Sequence, residues 1–518
     1  MRPRRFFDTE LMRTHLPGNT ARTLWDSSRE VGEGRPALAS RDGSWDYAEL
    51  RDRAAGLSEE LGRSGVRPGD RVALFLERGP EAVGAYYGVL AAGAAVVIVN
   101  ETLRPRQIEY ILEHSGARFL VASDGLLGQQ PRDLKADTPV LLSRDLPMDG
   151  NREPVRRTGH DLAQIIYTSG STGQPKGVAL SHGNLQAGIA AVTEYLGLEP
   201  TDRIASLLPF SFDYGLNQLL CSVAMGATLV IERSPLPPRV VKTLREFQVS
   251  VLPAVPPLWH QILNVGDFEE RPIPSLRVMT NTGGHLPREV VLRLRKAQPQ
   301  ARLVPMYGLT EAFRSTYLDP DEVDARPGSI GKAIPGAEIL VLRDDLTPCD
   351  PGEPGELVHR GPTVALGYWS DPEATRARFR PNPLRPEGTP DAERVVFSGD
   401  LVRTDEDGFL YFVGRRDRMI KTLGFRVSPD EVADVLHASG QVLEVLVGSE
   451  PDEARGSLIV AYVVLNEGGS ADALEAFARS ELPRYMQPGR YEVRDALPRT
   501  ASGKHDLQAA QQVGDEGG

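Results

Sequence analysis

Tyr167-Thr168-Ser169-Gly170-Ser171-Thr172-Gly173-Gln174-Pro175-Lys176-Gly177 decides how the rest of this chain is read. It follows an apolar run, Leu162 to Ile166, that reads as a buried strand, and it precedes a second short apolar run, Val178 to Leu180. A glycine- and hydroxyl-rich turn between strands can wrap its backbone N–H groups around phosphate oxygens. Gly170, Gly173 and Gly177 permit close backbone approach. Ser169, Ser171 and Thr172 add hydroxyl donors, and Lys176 adds a mobile positive charge. A merely polar surface turn would account for one short glycine loop, but poorly for this whole composition. The ordinary P-loop order is excluded, because Lys176 follows Pro175 and precedes Gly177.

Outside this stretch the chain has the composition of a globular protein. It has 518 residues, 40% hydrophobic and 25% charged, too long for one hydrophobic core. The net charge of −12 argues against a general nucleic-acid binder. Cys221 and Cys349, far apart, form neither a disulfide framework nor a zinc pattern, so a reduced cytoplasmic setting is expected. Arg2, Arg4 and Arg5 are not followed by the apolar core of a signal peptide. The uncharged run Ala82 to Asn100 is long enough to raise a membrane span. It changes character at Gly93, from helix-like to strand-like, and is read as a buried helix–turn–strand. No membrane association is expected.

Apolar strands alternate with helical patterns along most of the chain. Helical spacing over Tyr47 to Leu61 precedes a strand at Arg71 to Leu76, and Ile108 to Glu113 precedes one at Phe119 to Ala122. This order predicts an α/β fold of layered, mostly parallel sheets covered by helices. Gly125 to His160 is read as a polar surface connection. Gly328 to Arg360, punctuated by Pro and Gly, predicts a small β-rich subdomain. The charge cluster Arg415-Arg416-Asp417-Arg418 reads as a hinge, dividing a large domain, 1–414, from a small α+β domain, 415–518. In the small domain, Ser428-Pro429-Asp430-Glu431 predicts a capped helix start.

The loop, together with motifs from about Leu24 to Lys504, resembles the adenylate-forming superfamily: acyl-CoA synthetases, luciferases and the adenylation domains of peptide synthetases. The resemblance implies ATP and Mg2+ as the nucleotide and its ion. Thr168, Ser169, Gly170, Ser171, Thr172, Gly173 and Lys176 would then cradle the phosphates. In Tyr307-Gly308-Leu309-Thr310-Glu311, Tyr307 would lie near the adenine, Thr310 would touch the α-phosphate and Glu311 would hold magnesium. Asp400, in Phe397-Ser398-Gly399-Asp400, resembles the aspartate that binds the ribose hydroxyls, and Arg415 its arginine companion. Lys504, closing Pro498-Arg499-Thr500-Ala501-Ser502-Gly503-Lys504, resembles the lysine that bridges substrate carboxylate and α-phosphate. Asp417 matches the hinge position, although Arg418 departs from the usual Asp or Lys after it. Gly424 falls where relatives approach the pantetheine thiol.

The acyl pocket reads less simply. Amino-acid-activating relatives carry Phe-Asp at a helix start, whereas many acyl-CoA ligases carry a His and then Tyr-Gly. Phe212-Asp213-Tyr214-Gly215 mixes the two. An aspartate between aromatics is costly to bury without a cation or hydrogen bonds, and a substrate ammonium would satisfy it. A helix N-cap is the alternative. By the same resemblance Asn217, Asn281, Gly283, Gly284, Met306, Arg314 and Ser315 would line the remainder, so the pocket is expected to be small or polar rather than a long apolar tunnel. His182 and His285 lack the serine or cysteine partners of a nucleophilic triad and are read as scaffold or pocket wall.

The reading is therefore a stand-alone AMP-forming ligase. It activates a small carboxylate, an amino acid by the Asp213 argument, and passes it to the phosphopantetheine thiol of a carrier protein expected on a separate chain. An acyl-CoA ligase using free CoA, and a non-catalytic nucleotide sensor, are the alternatives.

Overall fold

The computed structural model describes residues 18–31, 34–130, 133–168, 175–284, 286–386, 388, 393–416, 418, 420–422, 425–452, 456–482, 484–500 and 505–512. Two large sheets organise the first 370 or so of them. One has nine strands among the described residues, ordered 332–333, 316–317, 302–307, 278–281, 251–254, 203–206, 228–231, 36–40 and 43–46. The other has seven, ordered 367–368, 176–181, 162–168, 95–98, 71–75, 119–122 and 140–142. Strand–helix–strand units make most of the central pairs parallel, as the alternating sequence predicts, whereas 162–168 with 176–181 and 302–307 with 316–317 pair antiparallel.

Period-two alternation along the strands separates the cores. Ile204, Leu229, Val278 and Val304 face one core, whereas their neighbours Ala205, Val230, Met279 and Leu303 face another. The first core also takes Val72, Leu74, Val96 and Ile166 from the seven-stranded sheet. The two sheets therefore face one another across a shared layer of helices, Tyr47–Arg63, Pro80–Ala91, His182–Leu196 and Asp213–Ala224. The outer face of the nine-stranded sheet packs on Pro237–Glu246, Pro256–Leu263 and Arg288–Ala297. Pro105–Ser115 covers the outer face of the other.

The uncharged run resolves as the helix Pro80–Ala91, a turn at Gly93 with φ +80°, and the buried strand Ala95–Ile98. Among the described residues no helix is long and apolar enough to cross a membrane. The stretch 125–160 is more than a connection. Val140–Leu142 adds an edge strand in parallel to Phe119–Ala122, a three-residue pairing too short to stand out in a polar context.

Beyond these layers a five-stranded sheet (338–342, 355–360, 394–404, 379–381 and 410–415) forms the β-rich part. The C-terminal elements have a core of their own, including Val432, Leu436, Val445, Ile459, Val463 and Leu474. Its helix Pro429–Ala438 starts as the sequence predicts, with Ser428 accepting from the Glu431 N–H. A large N-terminal domain and a small C-terminal one result.

Candidate active site

The hairpin formed by Leu162–Thr168 and Lys176–Ser181 is antiparallel, with Thr168 opposite Lys176. Both ends of the glycine-rich turn are thereby fixed side by side, and the Thr168 hydroxyl lies 3.5 Å from the Lys176 carbonyl. Ser169, Gly170, Ser171, Thr172 and Gly173 lie outside the described residues, as do His285, Asp417, Gly424 and Lys504. After the hairpin, a capping box between Ser181 and Asn184 starts the helix His182–Leu196.

The five residues 307–311, at the end of the strand Arg302–Tyr307, bring three carboxylates into one site. The Tyr307 hydroxyl donates to Asp400. The Thr310 hydroxyl donates to Asp213 Oδ2 at 3.3 Å. Glu311 Oε1 accepts from the Tyr368 hydroxyl at 2.6 Å. Burial, then the neighbouring Asp400 charge, pushes the Tyr307 phenol well above its ordinary pKa. Burial and then Glu311 do the same for Tyr368. Both phenols are consequently held protonated, as donors.

Asp400 is set by sheet register. It sits opposite Arg415 on the neighbouring strand, whose Nη1 is 2.9 Å from Asp400 Oδ1. A buried carboxylate needs such a cation and donor to remain charged.

The Lys176 ammonium lies 5.3 Å from the Tyr368 ring centroid. Arg378 Nε is 4.0 Å from Glu311 Oε1. Tyr368 reaches this position because Gly367–Tyr368 adds an edge strand to Lys176–Ser181. Sequence reasoning missed Tyr368 and Arg378. Both lie in a stretch without a distinctive local pattern, and only the fold joins them to Glu311.

Asp213 opens the helix Asp213–Ala224 and is 7% exposed. It is the first helical residue rather than the N-cap, which is Phe212. Its Oδ1 accepts from the Tyr214 N–H at 2.8 Å. The helix start is tight: a Cβ at Gly215 would stand 2.2 Å from the Pro209 carbonyl oxygen, so glycine is required there. The Phe212 and Tyr214 rings meet edge to face at 6.3 Å. One turn on, Asn217 Nδ2 is 3.5 Å from Cys221 Sγ. Asn281 Nδ2 donates to the Gly284 carbonyl at 3.2 Å, across the turn containing Gly283. The Tyr195 hydroxyl donates to Met306 Sδ at 2.9 Å. Arg314 is buried against the Tyr214 ring. The Ser315 hydroxyl is 3.1 Å from His359 Nδ1.

His182 also lies apart from this cluster. Its Nδ1 accepts from the Thr20 N–H at 3.0 Å, and burial pushes its pKa down to about 4. A neutral imidazole tying an N-terminal turn to a helix start is the scaffold role read from sequence.

The model of the AMP-binding enzyme family matches residues 25–369, and that of the AMP-binding enzyme C-terminal domain matches 431–504. The chain belongs to the AMP-binding enzyme family. These are the AMP-forming ligases of the adenylate-forming superfamily, as the loop and motifs imply. This AMP-binding enzyme is 32% identical over 511 residues to tyrocidine synthase 2 of Brevibacillus parabrevis, covering 96% of the chain. The chain spans only a small part of that synthase, 14% of its length. It is 28% identical to a long-chain-fatty-acid–CoA ligase of Bacillus subtilis, covering 94% of the chain and 93% of the ligase. Among solved structures, o-succinylbenzoate coenzyme A synthetase from Bacillus subtilis, in complex with ATP and magnesium ion, superposes with a TM-score of 0.82 at 28% identity. That match covers 94% of this chain and 98% of the synthetase.

Proposed function

We propose that this AMP-binding enzyme uses ATP to convert a small amino acid into its acyl adenylate, releasing pyrophosphate. It then transfers the acyl group to the phosphopantetheine thiol of a carrier protein, with AMP as the leaving group. The observation that carries the reading is the convergence of Asp400, Asp213 and Tyr368 on Tyr307, Thr310 and Glu311 of the segment 307–311. One short turn can thereby align ribose, acyl carboxylate and phosphates for in-line attack.

Asp400 and Arg415 hold the ribose, with Tyr307 beside the adenine. Thr168 to Lys176 and Thr310 donate to phosphate oxygens. The donor set fits such a ligand: the Thr168 hydroxyl and Lys176 stand at the two ends of the glycine-rich turn, and the Lys176 ammonium lies beside the Tyr368 ring whose hydroxyl donates to Glu311. Glu311 is a hard oxygen donor suited to magnesium alongside phosphate oxygens, and the ion would neutralise phosphate charge. Lys504 stabilises the charge developing at the α-phosphate. The domain boundary at 414/415 and a hinge at Asp417 belong to the same proposal: rotation exchanges Lys504 for the Gly424 loop between half-reactions. Asp213, buried and beside Thr310, takes the substrate ammonium.

Free CoA as acceptor is the second reading, favoured by the near full-length matches to CoA ligases. Offering the adenylate to CoA and to a phosphopantetheinylated carrier separates the two. Thioester on the carrier alone supports the first, and thioester on CoA alone overturns it.

A further inference from the structure

Arg314 carries a charge that none of these steps uses. It is 2% exposed. Nη1 donates weakly to the Thr282 hydroxyl at 3.3 Å. Nε and Nη2 are both sealed from solvent and have no hydrogen-bond partner among the described residues. The guanidinium carbon lies 5.1 Å from the Tyr214 ring centroid. That contact offsets some of the desolvation, but a ring face does not satisfy an N–H donor. No carboxylate lies within ion-pair reach of it among the described residues. Arginine cannot shed its proton to escape burial, so an isolated guanidinium here is costly unless a ligand completes it.

The backbone holds the residue in this position. Phe313, immediately before it, has φ +60° and ψ −61°, a conformation that non-glycine residues rarely adopt. The Phe313 ring is locked against helix His182–Leu196, where a Cβ at Gly188 would stand 2.3 Å from a ring carbon. Strain retained in a turn that delivers an unpartnered donor is the pattern of a binding site. The location is the acyl side. Arg314 packs on Tyr214, the neighbour of Asp213, and reaches Thr282, between Asn281 and Gly283.

We propose that Arg314 receives a second carboxylate on the substrate, its fork of N–H donors matching a carboxylate's two oxygens. The acid activated is then a dicarboxylate. On the amino-acid reading above, with which this inference shares its placement of the acyl pocket, it is an acidic amino acid: ammonium at Asp213, side-chain carboxylate at Arg314.

The test is carboxylate-dependent pyrophosphate exchange with aspartate, glutamate, asparagine, glutamine, alanine, succinate and glutarate. It is run on the wild-type protein and on Arg314→Gln and Arg314→Lys. A charge-assisted hydrogen-bond pair sets the expected preference for acid over matched amide at roughly ten- to a hundredfold in kcat/KM. Arg314→Gln should abolish that ratio and leave the ATP KM unchanged; Arg314→Lys should keep part of it. A merely structural role would lower all substrates together. A wild-type enzyme that prefers alanine or the amides overturns the Arg314 inference and leaves the amino-acid reading standing. Exchange with succinate or glutarate but no amino acid does the reverse. The free protein gives an independent check, because Arg314→Met removes an uncompensated buried charge and should raise the Tm. A lower Tm would show the guanidinium to be a satisfied structural group and overturn the inference.

Discussion

Asp213→Asn preserves shape and removes only charge. In the wild type the carboxylate is 7% exposed, and its partners include the Tyr214 N–H at 2.8 Å and the Thr310 hydroxyl at 3.3 Å. The Asn Oδ1 can keep one of these, so folding and ATP binding are expected to survive. What is lost is the counter-charge to a buried substrate ammonium. Stranding one member of a buried charge pair costs about 3–5 kcal/mol. At about 1.36 kcal/mol per decade that corresponds to roughly two to four decades in kcat/KM. The assay is pyrophosphate exchange with an amino acid and its des-amino analogue, side by side on wild type and variant. The amino acid should suffer the whole loss and the des-amino acid little of it. An equal loss for both, or a drop below tenfold for the amino acid, would refute the ammonium role. Asp213 would then act through its charge at the first turn of its helix, where an acidic side chain is favoured in any case.

Three further perturbations bear on other parts of the account. Lys504→Ala should abolish adenylate formation yet largely spare thiol transfer from preformed adenylate; equal loss of both half-reactions in a folded variant contradicts its assignment. Asp400→Asn should raise the KM for ATP by roughly ten- to a hundredfold, the range for losing hydrogen bonds to a charged group; an unchanged KM removes Asp400 from the nucleotide site. His182 and His359 both have pKa values pushed by burial from 6.5 to about 4. The unfolded chain therefore takes up these protons first. Their stabilisation is complete above pH 6.5 and is lost as pH falls toward 4, at up to about 1.4 kcal/mol per pH unit for each. Denaturant midpoints measured across that window should flatten in His182→Gln, and an unaltered slope would show that His182 titrates normally.

The parallel layers were legible because their strands are short apolar runs set between helical patterns, whereas the strand order within each sheet, with its crossovers, was not. Residues 307–311 were legible as a motif, though not as the junction of three carboxylates. Tyr307, Thr310 and Glu311 each reach partners more than 50 residues away, to which no local pattern points. Tyr368 was invisible for the same reason, since its role depends on pairing with the strand Lys176–Ser181. Asp213 reads from sequence as a pocket or cap residue; in the structure Phe212 is the N-cap, and Asp213, one position into the helix, accepts from the Tyr214 N–H of the first turn. Arg314 reads from sequence as part of a polar wall. That its donors are buried without partners depends on the turn at Phe313, which the sequence around it, lacking glycine, does not foretell.

The central claim is ATP-driven carboxylate activation at the junction of Asp213, Thr310, Glu311 and Asp400. Exchange of radiolabelled pyrophosphate into ATP across a panel of amino and non-amino acids tests it most directly. The expected result is exchange that requires an amino acid, is strongest with one carrying a second carboxylate, and vanishes in Lys504→Ala. A correctly folded enzyme that binds ATP but shows no exchange with any carboxylate would contradict the account.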